Sequence, residues 1–170
     1  DYSITRGRSS ELDRMAGGQA VITLDTPCGW FSPANISGSL AGSLLPGRAI
    51  SISWEYGFAP SIFPRFTGKL QSISVEPDVS GQRNALLVCS DISNELQRRE
   101  TRSVLYQNVK SGCLAGSLLT DAGYFTTCRA IADGQDTYDY AYFEKRKLDE
   151  VLVDIERTEF GFMFINGAGA

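Results

Sequence analysis

Histidine is missing altogether from this chain of 170 residues. Every nucleophilic scheme that passes a proton through an imidazole, Ser-His-Asp or Cys-His, is thereby excluded, and with it the commonest hydrolases. A zinc site loses its usual nitrogen ligand, and Cys28, Cys89, Cys113 and Cys128 nowhere come at C-x-x-C spacing. No apolar run approaches the ~18–20 residues that span a bilayer, and no charged start leads into an apolar stretch with a small-residue cleavage site. Basic residues are the minority, 16 against 20 acidic ones, for a net charge of -4. That balance argues against nucleic-acid binding, which needs clustered Lys and Arg on the phosphates. The proportions of 42% hydrophobic and 21% charged residues are those of an ordinary globular chain rather than a disordered one.

An even number of cysteines would permit two disulfides. Yet Cys89 closes the apolar run NALLVC and Cys113 lies in CLAGSLL, so buried reduced thiols are expected. The chain starts at Asp1 rather than methionine, which reads as a processed or excised piece.

The most informative stretch is residues 6–35, RGRSSELDRMAGGQAVITLDTPCGWFSPAN. Arg6-Gly7-Arg8 places a glycine where an extended segment, 2–6, must change direction. Ser9 or Ser10 can cap a single helical turn through Met15, which Gly17-Gly18 would end. Residues 21–25 read as a strand containing Leu24 and Asp25, and Pro27, Gly29 and Pro33 turn the chain around Trp30 and Phe31.

Further on, Ile50, Ile52 and Trp54 alternate with Ser51 and Ser53, the period of a half-buried strand over 48–54. In 66–75 the apolar positions Phe66, Leu70, Ile73 and Val75 change parity between Leu70 and Ile73. A β-bulge at Gln71-Ser72 would restore the phase, as happens where a sheet curls into a barrel. Residues 84–90 complete a hairpin across a turn at 78–82. The total is about five or six short antiparallel strands, suited to a small barrel or sandwich.

Helical signals follow the strands. Ser90 or Asp91 can cap a helix whose Ile92 and Leu96 face the barrel, with Arg98, Arg99 and Arg102 at its negative end. A second helix is expected over 111–121, packing Leu114 and Leu118 and stopping at Gly123. Leu148, Val151, Leu152 and Ile155 fall at i, i+3, i+4 and i+7, an amphipathic helix with Gly161 as its C-terminal cap. Residues 162–165 read as a strand and Asn166-Gly167 as a hairpin turn. The return strand is absent, which predicts a polypeptide continuing past Ala170.

Several motifs invite chemistry and have plainer readings. The loop 42–48 lacks the lysine and Ser/Thr of a phosphate loop and leads into a strand. Asp133, Asp136 and Asp139 lack the alternate oxygens and distal glutamate of a calcium loop, so a solvated acidic loop is expected. Tyr138, Tyr140 and Tyr142 share one face if the stretch is extended. Such a row is the aromatic side of a packed sheet, a protein interface, or a platform for stacking on sugars. No cofactor, metal or catalytic set is assigned.

In their order, Arg6-Gly7-Arg8, Gly17, Leu24-Asp25, Phe31, Pro33, Gly47-Arg48, Phe66, Gly68 and Asp91 resemble the first barrel domain of phage tail hub proteins, the baseplate hub or minor tail components of tailed phages and prophages. The likeness covers roughly residues 4–165. It implies an α+β architecture: a small antiparallel β-barrel with a terminal helix over 1–103, then part of a mixed helix-and-strand domain over 104–170. It also implies a non-enzymatic structural protein of the virion tail tip, assembled in the host cytoplasm as a homo-oligomeric, trimeric ring. Its partners would be other tail proteins: tube, distal tail, spike or fibre, and tape measure. The rival expectation is a carbohydrate-binding or tail-associated lytic module acting on the host envelope, served by the tyrosine row.

Overall fold

A computed structural model of the chain describes residues 1–7, 16–26, 29–32, 35–38, 40, 42–57, 61–77, 83–124 and 129–169. Two compact units emerge. The first draws on the opening strand, Ala16–Ile92 and Asn166–Gly169, and the second on Ser93–Ile165. The architecture is α+β, a five-stranded and a two-stranded antiparallel sheet with a few helices.

The first unit is built from β1 (Tyr2–Gly7), β2 (Ala16–Asp25), β3 (Ala49–Tyr56), β4 (Ser61–Pro77) and β5 (Arg83–Ser90). Their order in the sheet is β1-β2-β5-β4-β3, with every neighbouring pair antiparallel. Strict alternation sends Ala20, Ile22 and Leu24 of β2 inward opposite Cys89, Leu87 and Ala85 of β5. On β4 the register slips between Leu70 and Ser72. Gln71 is thus the extra residue, at the bulge the sequence predicts, and it lets Leu70, Ile73 and Val75 all reach one core. A second slip between Ile52 and Ser53 leaves Arg65 as the extra residue. Both bulges bend the sheet. Its two edges, β1 and β3, are joined at one end by the Trp54 indole N–H donating to the Tyr2 hydroxyl. Among the described residues no backbone ladder connects them, so the sheet is curled rather than closed by hydrogen bonds.

The strands outrun their sequence-based bounds. Gly17 and Gly18 belong to β2 instead of ending a helical turn, and the expected turn at 9–15 lies outside the described residues. β4 runs for 17 residues because it changes partners, pairing with β3 up to Lys69 and with β5 from Lys69 onward.

The second unit contains α1 (Ser93–Leu96), β6 (Leu105–Lys110), α2 (Ser111–Asp121), β7 (Thr137–Tyr142) and α3 (Leu148–Thr158). Leu114 and Leu118 of α2 pack with Leu148, Val151, Leu152 and Ile155 of α3, as the helical spacing predicts. Leu96 joins this core and not the barrel's. α1 is a single turn that begins directly after the division between the units. The arginines Arg98, Arg99 and Arg102 therefore lie beyond the helix rather than in its last turn. The Arg99 guanidinium sits 5.8 Å from the Tyr124 ring centroid.

Both longer helices end in the same hydrogen-bond pattern. In α2, Tyr124 N–H donates to Leu119 O and Gly123 N–H to Thr120 O, with Gly123 at φ 91. In α3, Gly161 N–H donates to Glu156 O and Phe160 N–H to Arg157 O. Phe160, not Gly161, takes the left-handed position there, at φ 49. The expected strand at 162–165 carries no ladder. Asn166-Gly167 does form a turn, closed by Gly169 N–H to Asn166 O, and the segment returns to the first unit, where Thr67 Oγ1 donates to Gly167 O. No helix among the described residues is long and apolar enough to cross a membrane.

Candidate functional site

The glycine-rich opening motif is a structural joint. Asp91 is buried at the end of β5, and its Oδ2 accepts the Gly18 N–H at 2.8 Å. A Cβ on Gly18 would overlap that carboxylate, so only glycine brings the backbone this close. Asp91 thus holds β2 through the Gly18 backbone. Arg6 and Gly7 end β1, with Gly7 at φ 99 and the Arg6 side chain exposed next to Gly18. Arg8 and Pro33 lie outside the described residues. Gly17 and Asp25 are exposed, while Leu24 and Phe31 pack half-buried on the first core. The Thr26 hydroxyl, buried in the following turn, accepts the Phe31 N–H at 3.5 Å.

Gly47 and Arg48 lead into β3. The Gly47 N–H donates to Leu70 O and Arg48 O accepts the Leu70 N–H, while the Arg48 side chain stays exposed. Phe66 is fully buried and its ring lies over Gly68, where a Cβ would strike both that ring and Ser90 O. Gly18 against Asp91 and Gly68 against Phe66 are therefore close approaches inside a curled sheet.

Cys89 is buried, and burial pushes its thiol up, which keeps it protonated and inert. Cys113 departs from expectation: it is an exposed free thiol, because α2 turns Ser111, Leu114 and Leu118 inward and position 113 out. Cys28 and Cys128 lie outside the described residues.

The tyrosine row splits. β6 and β7 pair Leu105 with Tyr142, Gln107 with Tyr140 and Val109 with Tyr138. Tyr138 is half-buried against the second core and its hydroxyl shares a 2.7 Å hydrogen bond with Thr158 Oγ1. Tyr140 and Tyr142 are 73% and 55% exposed. The opposite face of this hairpin holds Tyr106 and Ala141 against the core. Burial, and then the hydrogen bond to Asp121, pushes the Tyr106 hydroxyl up to about 12, so it remains a neutral donor. The exposed pair thus belongs to an outward surface with Gln107 and Leu105 beside it.

One cluster carried no sequence signal. The Glu159 carboxylate, just past α3, accepts from Ser111 Oγ and from the backbone N–H groups of Gln135 and Asp136, at 2.8 Å for the last. These bonds hold its carboxyl below the usual value of 4.5. The same loop caps α2, whose Ser111 and Gly112 N–H groups donate to Asp136 O and Asp133 O. Asp133 and Asp136 therefore act through backbone carbonyls. Among the described residues no three acidic or cysteine side chains are gathered as metal ligands would be.

A third feature is the free end of the β3–β4 hairpin. Trp54 pairs with Phe63 and Tyr56 with Ser61, on the face that carries Ile50 and Ile52 into the core. Phe63 and Trp54 are about half exposed and Tyr56 is 81% exposed.

No protein-family model matches the sequence, and no curated protein matches it. Among solved structures, the chain is similar to a 43 kDa tail protein of prophage MuSo2 from Shewanella oneidensis, with a TM-score of 0.64 and 12% sequence identity. The superposition covers 99% of this chain and 48% of that protein, so the chain spans about half of its length. Over nearly all of its residues, the chain has the fold of part of a phage tail protein.

Proposed function

We propose that this chain is a structural subunit of a phage or prophage-derived tail. In this reading it is a hub-type piece at the tail tip, joining the tube to a spike or fibre by assembling with copies of itself into a ring. The observation that carries the reading is the fold shared with a prophage tail protein along 99% of the chain. The physics agrees with a building block: two bulges and the close approaches at Gly18 and Gly68 fix the curvature of the sheet. Its task is rigid geometry and contact, with no reaction assigned. Tail particles purified from the phage or induced prophage test it. An antibody raised against the chain should label one end of the tail. Label along the tube, or particles that lack the chain, would contradict the reading.

A second reading rests on Tyr140 and Tyr142, exposed rings on the outward face of the β6–β7 hairpin, with Gln107 opposite Tyr140. Aromatic rings beside an amide can stack on and hydrogen-bond a neutral glycan. Retention of the chain on host-envelope glycans, lost in Tyr140→Ala and Tyr142→Ala, would support this module and displace the structural proposal. Tyr138 would stay in place in those variants, since it is anchored to Thr158.

A further inference from the structure

Of the five asparagines in the chain, Asn35, Asn84, Asn94, Asn108 and Asn166, the last alone precedes a glycine. It stands where the chain rejoins the first unit, at the head of the turn Asn166–Gly169. Asn166 is exposed. Its Oδ1 accepts the Ala168 N–H at 2.9 Å, which folds the carboxamide back over the intervening Gly167 peptide. Gly167 has no Cβ to shield its own nitrogen from that carboxamide. The turn is also fitted closely to its neighbour. β5 pairs with β4 only from Lys69 onward, and just before that point the turn lies against β4. Thr67 Oγ1 donates to Gly167 O at 3.1 Å, a Cβ on Gly167 would overlap Pro64 O, and Gly169 holds φ 85 beside the Thr67 side chain.

We propose that Asn166 is a self-modifying site, at which the Gly167 nitrogen closes a succinimide on the Asn166 side chain and so releases the turn from β4. In the first step the Gly167 amide gives its proton to hydroxide and its nitrogen bonds to Asn166 Cγ. The Cγ–Nδ2 bond breaks, and the departing nitrogen takes a proton from water and leaves as ammonia. Water then adds to one carbonyl of the ring. Opening at the side-chain carbonyl gives aspartate, whereas opening at the backbone carbonyl gives isoaspartate, whose main chain runs through the former side chain and is one carbon longer. Hydroxide and water are the only co-reactants. The Ala168 N–H supplies what the dipeptide alone does not, because it donates to Oδ1, the atom on which negative charge builds as the nitrogen adds to Cγ. Proximity does the rest. In isoaspartate the added backbone carbon and a new carboxylate arrive directly before a glycine that has no room at Pro64 O. The closed turn therefore fits asparagine and not this product.

Peptide mapping by mass spectrometry of the whole folded chain, aged at physiological temperature and pH, is the test. Asn166 should gain about one dalton and form isoaspartate, converting about tenfold or more faster than any other asparagine of the chain. Because the folded turn supplies the donor to Oδ1, conversion should be no slower in the folded chain than in chain unfolded by guanidinium. In the isoaspartate fraction, hydrogen exchange at Ala168 and Gly169, whose N–H groups donate to Asn166 in the closed turn, should quicken about tenfold or more. Asn166→Gln, which would need a larger ring, should stay unconverted and keep its exchange rates through the same ageing. The proposal is overturned if Asn166 converts no faster than the other asparagines, or more slowly folded than unfolded. It is overturned equally if isoaspartate forms while exchange at Ala168 and Gly169 stays unchanged. None of these readings involves tail particles, so they stand apart from the tail assignment.

Discussion

Gly112 and Gly116 lie one turn apart in α2 and have opposite reasons to be glycine. A Cβ at position 112 would overlap Ala132 O and the Asp133 backbone, where the capping loop crosses the helix. At position 116 it would meet only the end of the Arg129 side chain, at 3.7 Å. Gly116→Ala should therefore stabilise the chain by about 0.5–1 kcal/mol, the usual helix-interior difference. Gly112→Ala should destabilise it by about 1–3 kcal/mol, as overpacking does. Urea unfolding of the two variants checks both signs. Glu159 supplies a pH dependence. Its folded-state value is lowered, so its contribution is fully present above the unfolded value near 4.5 and is lost as pH falls through the lowered one. Glu159→Gln should remove that part of the acid dependence, read as a flatter stability profile below about pH 5. Such residues leave little trace in sequence. Gly18 meets Asp91 across 73 positions and Glu159 meets Ser111 across 48, distances over which neither residue type has a spacing rule.

At the scale of elements, legibility followed periodicity. α3 was plain because four apolar residues share one stripe, and the β4 bulge because Leu70 and Ile73 break parity in a strand that must keep one face inside. β6 gave no signal: only Tyr106 and Val109 of LYQNVK are even half-buried, and its outward face is water. The apolar run 162–165 after α3 reads as a strand and forms none, because a strand also needs a neighbour for its backbone. The helix stop at Gly161 was off by one, since Phe160 occupies the left-handed position while 93% exposed. With no packing to lose, Phe160→Gly should stabilise α3 by about 1–2 kcal/mol, the left-handed penalty of a residue with a Cβ. A higher urea midpoint with an unchanged slope would verify it. The exposed Cys113 follows from the same helix phase that buries Leu114.

At the scale of the whole molecule, order along the chain carried the architecture: strands first, helices after, and a return to the first unit at Asn166–Gly169. Two bulges bend the five-stranded sheet of the first unit, and the free end of its β3–β4 hairpin leaves Trp54, Tyr56 and Phe63 half or more exposed. Fold alone does not assign a task, because one architecture hosts many. The assignment to a tail tip depends on where the protein sits in an assembled particle. Cryo-electron microscopy of intact tails is the most direct measurement. The account predicts density at the tip into which the curled five-stranded sheet fits in several symmetry-related copies. Tip density that excludes this sheet, with the chain found elsewhere or nowhere in the particle, would contradict it.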